Sequence, residues 1–264
     1  AVRTLDVIAG YDPADSRTAW CVDRKPESYL PFLDPNGMQG RRIGVLESFF
    51  GALPSNEAVS RLIRSALRYF ETGGTELISI RESIDSAWLT GHVSVHLDDF
   101  RHDLNQYLAR QGDSVPVHSL EEVVASGKYH PALRQHLLEA EQKEIGTPEY
   151  NQKRLLQSEV RNQVMRLMAE LRLDAIVYPH QQQLVCKIGE SQQQRNGVLC
   201  SVTGFPSVVV PTGFAPSQDA PIGVPVGMEI IGRPFSEPVL ISIAYAFEQA
   251  SRLRRPPQSV PELS

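Results

Sequence analysis

The sequence predicts an α/β fold in which helices cover about five strands. One observation is the stretch from Asp174 to Gly232. It holds three apolar, β-branched runs: Asp174-Ala-Ile-Val-Tyr-Pro179, Phe205-Pro-Ser-Val-Val-Val-Pro-Thr-Gly213 and Pro225-Val-Gly-Met-Glu-Ile-Ile-Gly-Arg-Pro234. Each is fenced by Gly or Pro, the mark of a buried strand that needs cover on both faces. The other observation is a strand–helix–strand pattern. Arg41-Arg-Ile-Gly-Val-Leu46 and Thr75-Glu-Leu-Ile-Ser-Ile80 read as strands on either side of an amphipathic helix. That pattern predicts two parallel strands joined by a right-handed crossover.

The elements follow in order. Val2, Leu5, Ile8 and Ala9, stopped by Gly10, read as the end of a helix. A chain that begins at Ala1 inside a helix suggests a fragment or a processed product. Residues 11–40 are rich in Asp, Pro and polar side chains and read as a surface connection. Ser55 is the expected N-cap of a helix with Glu57 in its first turn. Its stripe is Val59, Leu62, Ile63, Ala66, Leu67 and Phe70, and Gly73-Gly74 ends it. Residues 81–172 read as a mainly helical insertion. There Leu97, Phe100, Leu104, Tyr107 and Leu108 make one apolar face, and Ser119-Leu-Glu-Glu122 forms a capping box. Thr147 caps a long helix with a stripe from Leu156 to Leu171. Ser236 is expected to cap a last helix buried through Leu240, Ile243, Ala244 and Phe247. The tail, 254–264, reads as loosely held.

Composition narrows the function. The 264 residues are 41% hydrophobic and 22% charged, with a net charge of −5, so there is no basic face for nucleic acid. No apolar run approaches the roughly 20 residues of a membrane helix, and no signal-peptide pattern is present. Cys21, Cys186 and Cys200 lack metal-ligand spacing and suit a reducing compartment, hence a cytoplasmic protein.

Candidate chemistry is sparse. No nucleophile elbow, phosphate loop or dinucleotide fingerprint is present, so no cofactor is expected. Ser126-Gly127-Lys128 places a serine near a lysine, but at a helix end. His92 and His96, with Asp98 and Asp99, have a spacing that could hold a metal on one helix face. A solvated helix surface fits them better, because the glutamate of a zinc-hydrolase motif is missing. His180 and Gln181 follow the Asp174 strand, where ligands of open α/β sheets tend to bind. They line a pocket or an ordinary loop. Asn196 orients a ligand or caps a helix. For Arg233, beside Pro234, a salt bridge that fixes its loop is the favoured role.

Six pieces then occur together: Leu5-Asp-Val-Ile-Ala-Gly-Tyr-Asp-Pro-Ala-Asp-Ser16, Gly40 to Leu46, Phe100-Arg-His-Asp-Leu-Asn-Gln-Tyr-Leu108, Asp174 to Pro179, Asn196 to Gly213, and Val224 to Phe235. In this order the chain resembles the C-terminal part of the amidase signature family. The resemblance implies a share of a mixed central sheet and loops that wall a substrate funnel. Such enzymes cleave a carboxamide to acid and ammonia or amine with a Ser–cis-Ser–Lys triad. All three groups lie upstream of the matched region, so no catalytic residue is carried over and the chain alone is expected to be inactive. His180, Gln181 and Asn196 are the candidates for contact with a small amide substrate. The missing N-terminal half, or a second copy, is the expected partner. Two alternatives stand beside this: a non-catalytic subunit paired with a triad-bearing chain, and a metal-dependent hydrolase.

Overall fold

The computed structural model describes residues 1–256. Helix α1 (Val2–Ile8) is tied to the following segment by Asp6, which accepts from the Tyr29 amide at 2.6 Å and the Ser28 hydroxyl at 2.7 Å. Residues 11–40 contain the 3-10 turns Ser16–Cys21 and Leu30–Phe32, and they bury Tyr29 and Met38. Strand β1 (Arg42–Leu46), helix α2 (Glu57–Thr72) and strand β2 (Glu76–Ile80) form the expected unit, with β1 and β2 parallel. Ser55 is not the cap. A 3-10 turn, Pro54–Asn56, precedes the helix, and the Asn56 side chain reaches back to accept from the Leu53 amide at 2.8 Å.

The regular elements between 81 and 172 are all helical: α3 (Ser86–Trp88), a π turn at Leu89–Val93, α4 (His96–Gln111), α5 (Leu120–Ser126), α6 (Arg134–Glu141) and α7 (Pro148–Glu170). Ser119 and Thr147 cap as expected, accepting from the Glu122 and Tyr150 amides. The Glu122 carboxylate closes the box one residue early, on the His118 amide. The face expected on α4 is only partly covered. Leu108 is buried, whereas Phe100 and Tyr107 are exposed. The helix instead turns Asp98 inward, where it meets the Lys153 ammonium of α7 at 2.7 Å.

Strand β3 (Ala175–Pro179), helix α8 (Val198–Thr203), strands β4 (Ser207–Ser217) and β5 (Ala220–Ile231), and helix α9 (Glu237–Ser251) complete the fold. The sheet runs β2-β1-β3-β5-β4. It is mixed: β1 is parallel to both neighbours, and β5 is antiparallel to β3 and β4. Asp174 locks the centre, accepting from the Arg42 amide at 2.9 Å and the Arg41 guanidinium at 3.1 Å. The β4–β5 hairpin is longer than the sequence runs suggest. Pro211, Pro216, Pro221 and Pro225 all lie inside it. β4 is an edge strand, and β3 pairs with β5 only from Met228 to Ile231. Each proline therefore lies where its strand has a free side. A register shift between Pro211 and Gly213 marks a bulge.

Alternation along β3 divides the core. Ala175 and Val177 pack with Ile63 and Phe70 of α2 and Phe247 of α9, while Ile176 and Tyr178 pack with Val164 and Met168 of α7 and Leu199 of α8. Ser236 stands at the expected N-cap position of α9, but its side chain makes no capping bond; its hydroxyl donates to the Arg233 carbonyl at 2.7 Å. Arg233 forms no salt bridge among the described residues. It donates to the Met168 carbonyl at 2.9 Å, and so ties the β5–α9 loop to α7. Of the tail expected to be loose, 257–264 lie outside the described residues. No helix among the described residues is long and apolar enough to cross a membrane.

Phe247 is fully buried and stacks within 5.1 Å of Phe70. Phe247→Ala is expected to cost about 3–5 kcal/mol in denaturant unfolding. A loss below about 1 kcal/mol would contradict this packing of α9 on α2.

Candidate functional site

The site is built where β3 ends. The His180 amide extends the ladder to the Gly227 carbonyl at 3.2 Å, and the chain then leaves the sheet. The backbone returns at Arg195, which bridges to Gln181, and the Asn196 amide donates to the His180 carbonyl at 3.0 Å. The loop 181–195 is thereby closed at its base.

Asn196 is the pin of that base. It is fully buried, and its Nδ2 donates to the Phe49 carbonyl at 2.8 Å and the Pro179 carbonyl at 2.7 Å. Its Oδ1 accepts from Gln182 Nε2 at 3.0 Å, and the same Nε2 lies 3.2 Å from the Ser86 hydroxyl. Asn56 adds a third amide, donating to the Gln182 carbonyl and to Gln194 Oε1. Both polar ends of Asn196 are thus engaged within the chain, and it lines neither cleft described below. Its geometry is that of a residue that positions the loop.

His180 stands between two clefts. One, of about 230 Å³, is lined by His180, Gln181, Leu184, Val209 and Val226. The other, of about 290 Å³, is lined by His180, His96, Arg195, Gly197 and Ser201. A Cβ at residue 197 would lie 2.5 Å from His180 Cε1, so the ring rests directly on the Gly197 backbone. A larger groove of about 700 Å³, between α4, α5 and α6, lies apart from this site and is lined by Asp98, Arg101, Glu121, Glu141 and Glu144.

Glu229 fixes the histidine from below. Its carboxylate accepts from His180 Nδ1 at 2.8 Å and is 1% exposed. Met228 and Ile230 face the α2–α9 side, so Glu229 faces the α7–α8 side with Tyr178. Burial pushes the Glu229 carboxyl up, but hydrogen bonds from His180 and Ser207 outweigh it and hold the group below its ordinary value. The same hydrogen bond, against the opposing effect of burial, raises the His180 imidazole above its ordinary value. Burial, with the Glu229 charge second, raises both the Tyr178 phenol and the Cys200 thiol. The arrangement is an imidazole held through Nδ1 on a buried carboxylate, with Nε2 turned away from that bond.

Glu229 and Gln182 carry this site without standing out in the sequence. One acidic residue inside the apolar run Val226-Gly-Met-Glu-Ile-Ile231 is a signal for Glu229, since a buried charge needs a partner. The signal for Gln182 is weaker, as it is one of three consecutive glutamines.

The spacing of His92 and His96 does not place them on one helix face. His92 lies in the π turn and stacks on Trp88, Ser94 is extended, and His96 begins α4 and stacks on His136 at 5.5 Å. Asp98 is already bound to Lys153. No group of three or more metal-binding side chains converges among the described residues, and the metal-hydrolase alternative finds no support in this arrangement.

Two outcomes are expected. Asn196→Ala orphans two buried carbonyls and should cost about 1–3 kcal/mol for each; unchanged stability would show that the loop base is held by other means. In an NMR titration, His180 should ionise above its ordinary pKa and fall back in Glu229→Gln. Because the folded value is raised, the stability contributed by the histidine is complete below its unfolded pKa of about 6.5 and lost as pH rises through the folded value. The lowered Glu229 value acts oppositely, its contribution fading only as pH falls through that value. A His180 titration unchanged by Glu229→Gln would refute the coupling.

Comparison with known proteins adds the family. The Amidase family profile matches residues 1–241. A probable amidase of Arabidopsis thaliana is 30% identical over 98% of this chain and 48% of its own length. A glutamyl-tRNA(Gln) amidotransferase subunit from Caldanaerobacter subterraneus is 27% identical over 97% of this chain and 53% of its own length. Among solved structures, the native peptide amidase of Stenotrophomonas maltophilia superposes with a TM-score of 0.78 at 29% identity, over 98% of this chain and 52% of that one. The chain spans about half the length of the curated relatives it matches. With most of its length inside one profile and its mixed five-stranded sheet shared with a solved amidase, this chain belongs to the amidase signature family.

Proposed function

We infer that this chain is the C-terminal portion of an amide hydrolase. It supplies sheet, core and cleft walls, while the bond-breaking groups are carried elsewhere. The parent reaction is hydrolysis of a carboxamide to acid and ammonia or amine. The observation that carries this reading is amidase membership together with a His180 loop that opens two clefts at the end of the central strand. In this reading His180 and Gln181 touch the substrate, and Asn196 positions them. Among the described residues no lysine ammonium is hydrogen-bonded to a serine hydroxyl. Lys153 pairs with Asp98 and Lys187 with Asp219, while the Ser126 hydroxyl donates to the Val123 carbonyl. This supports a chain that is inactive alone. The three cysteines are unpaired, which supports a cytoplasmic setting.

A second reading, a non-catalytic subunit beside a triad-bearing chain, is favoured by one observation. An apolar groove of about 430 Å³ runs between α1, the start of β4 and α9, lined by Val2, Leu5, Ile8, Val208 and Leu240. Val7 and Ile8 of α1 are exposed. A relative named as one subunit of an amidotransferase makes such pairing reasonable. In this reading the occupant of the groove is the triad-bearing chain.

The isolated 264-residue chain is expected to show no turnover of simple aryl or aliphatic amides. Co-expression with an upstream half carrying the lysine and two serines is expected to restore hydrolysis, with a 1:1 complex in light scattering. Turnover by the purified, metal-stripped chain alone would overturn the proposed inactivity.

A further inference from the structure

The cleft on the Arg195 side of His180 has an unusual lining for a chain of net charge −5. Arg195, His180 and His96 line it, with the hydroxyls of Thr90, Ser94 and Ser201, and no carboxylate lines it among the described residues. The nearest acidic groups are already engaged. Glu229 lies beneath His180 and accepts from its Nδ1, and Asp98 is held by Lys153 at 2.7 Å. Arg195 has no carboxylate or other side-chain acceptor among the described residues. It nevertheless lies close enough to His96 to help depress the His96 pKa, after burial and His136. His96 Nδ1 is 3.0 Å from the Ser94 hydroxyl, which leaves Nε2 on the other side of the ring. The Thr90 and Ser201 hydroxyls donate to backbone carbonyls within their own turns. Among the described residues, the groups left without a hydrogen-bond partner are therefore one guanidinium and two ring nitrogens.

We propose that this cleft is a carboxylate-binding subsite, in which the Arg195 guanidinium takes a carboxylate with His180 Nε2 and His96 Nε2 beside it. A planar guanidinium matches a planar carboxylate through two parallel hydrogen bonds. One uncompensated positive charge also suits a monoanion better than a phosphate dianion. The subsite selects amides that carry a carboxylate a few bonds from the scissile carbonyl, and the roughly 290 Å³ of the cleft fits a small acyl group. Assigning that carboxylate to a substrate rests on the amidase reading; the binding of the anion does not.

The test is an NMR titration of the histidine ring signals of the 264-residue chain with N-acetylglycine, N-acetylglycinamide and inorganic phosphate. N-acetylglycine is expected to shift the His180 and His96 signals saturably, the neutral amide not to shift them, and phosphate to bind more weakly. Arg195→Gln should weaken N-acetylglycine binding about tenfold, with Arg195→Lys intermediate. Arg195 is exposed, so both variants keep the fold. The absence of saturable shifts, equal binding of the neutral amide, tighter binding of phosphate, or binding unchanged in Arg195→Gln would each overturn the subsite. Carboxylate binding by a chain whose reconstituted enzyme cleaves no amide would defeat the hydrolase reading and leave the subsite standing.

Discussion

Everything in this fold leans on the burial of one short strand. All five residues of β3 are buried, so neither face of the sheet can be left to solvent. The alternation of Ala175 and Val177 with Ile176 and Tyr178 dictates two helix layers, α2 with α9 on one side and α7 with α8 on the other. The same strand fixes the His180 loop, because a chain leaving β3 at Pro179 must pass over the carboxyl edge of the sheet. His180 is thus positioned by the core and not by the loop that bears it.

The base of the loop is held by amides, while Leu184 packs its middle against the core. Asn196, Gln182 and Asn56 satisfy carbonyls and one another beneath the surface. Such a network is favourable only when complete, since each orphaned partner carries a desolvation cost. Above it, the His180–Glu229 hydrogen bond joins a carboxylate buried in the apolar sheet to a ring at the cleft. Electrostatics and packing therefore meet at one ring, which rests on Gly197.

Periodicity makes the strands and the long helices readable, since burial of β3, α2, α7 and α9 follows directly from their side-chain patterns. The full length of the hairpin is not readable in this way, because its prolines obey a rule about neighbours: a proline breaks a strand only when both sides are paired. The expected caps fail locally: Ser55 lies within a 3-10 turn ahead of α2, and the Ser236 hydroxyl donates to the Arg233 carbonyl. His180 and Gln181 are legible from strand polarity alone. Glu229 is written in the sequence as one charge among apolar residues, but its partner is 49 positions away and only tertiary structure brings them together. The spacing of His92 and His96 misleads, because it assumes one continuous helix where an extended Ser94 intervenes.

The bulged, proline-bearing edge strand has a consequence for solubility. A flat outer strand with a full row of amide donors invites other chains to add on and grow into aggregates. In β4, Pro211 and Pro216 remove two of those donors, and the shift at Gly213 twists the ribbon between them. The prolines and the bulge in this way blunt the β4 border against indiscriminate strand addition.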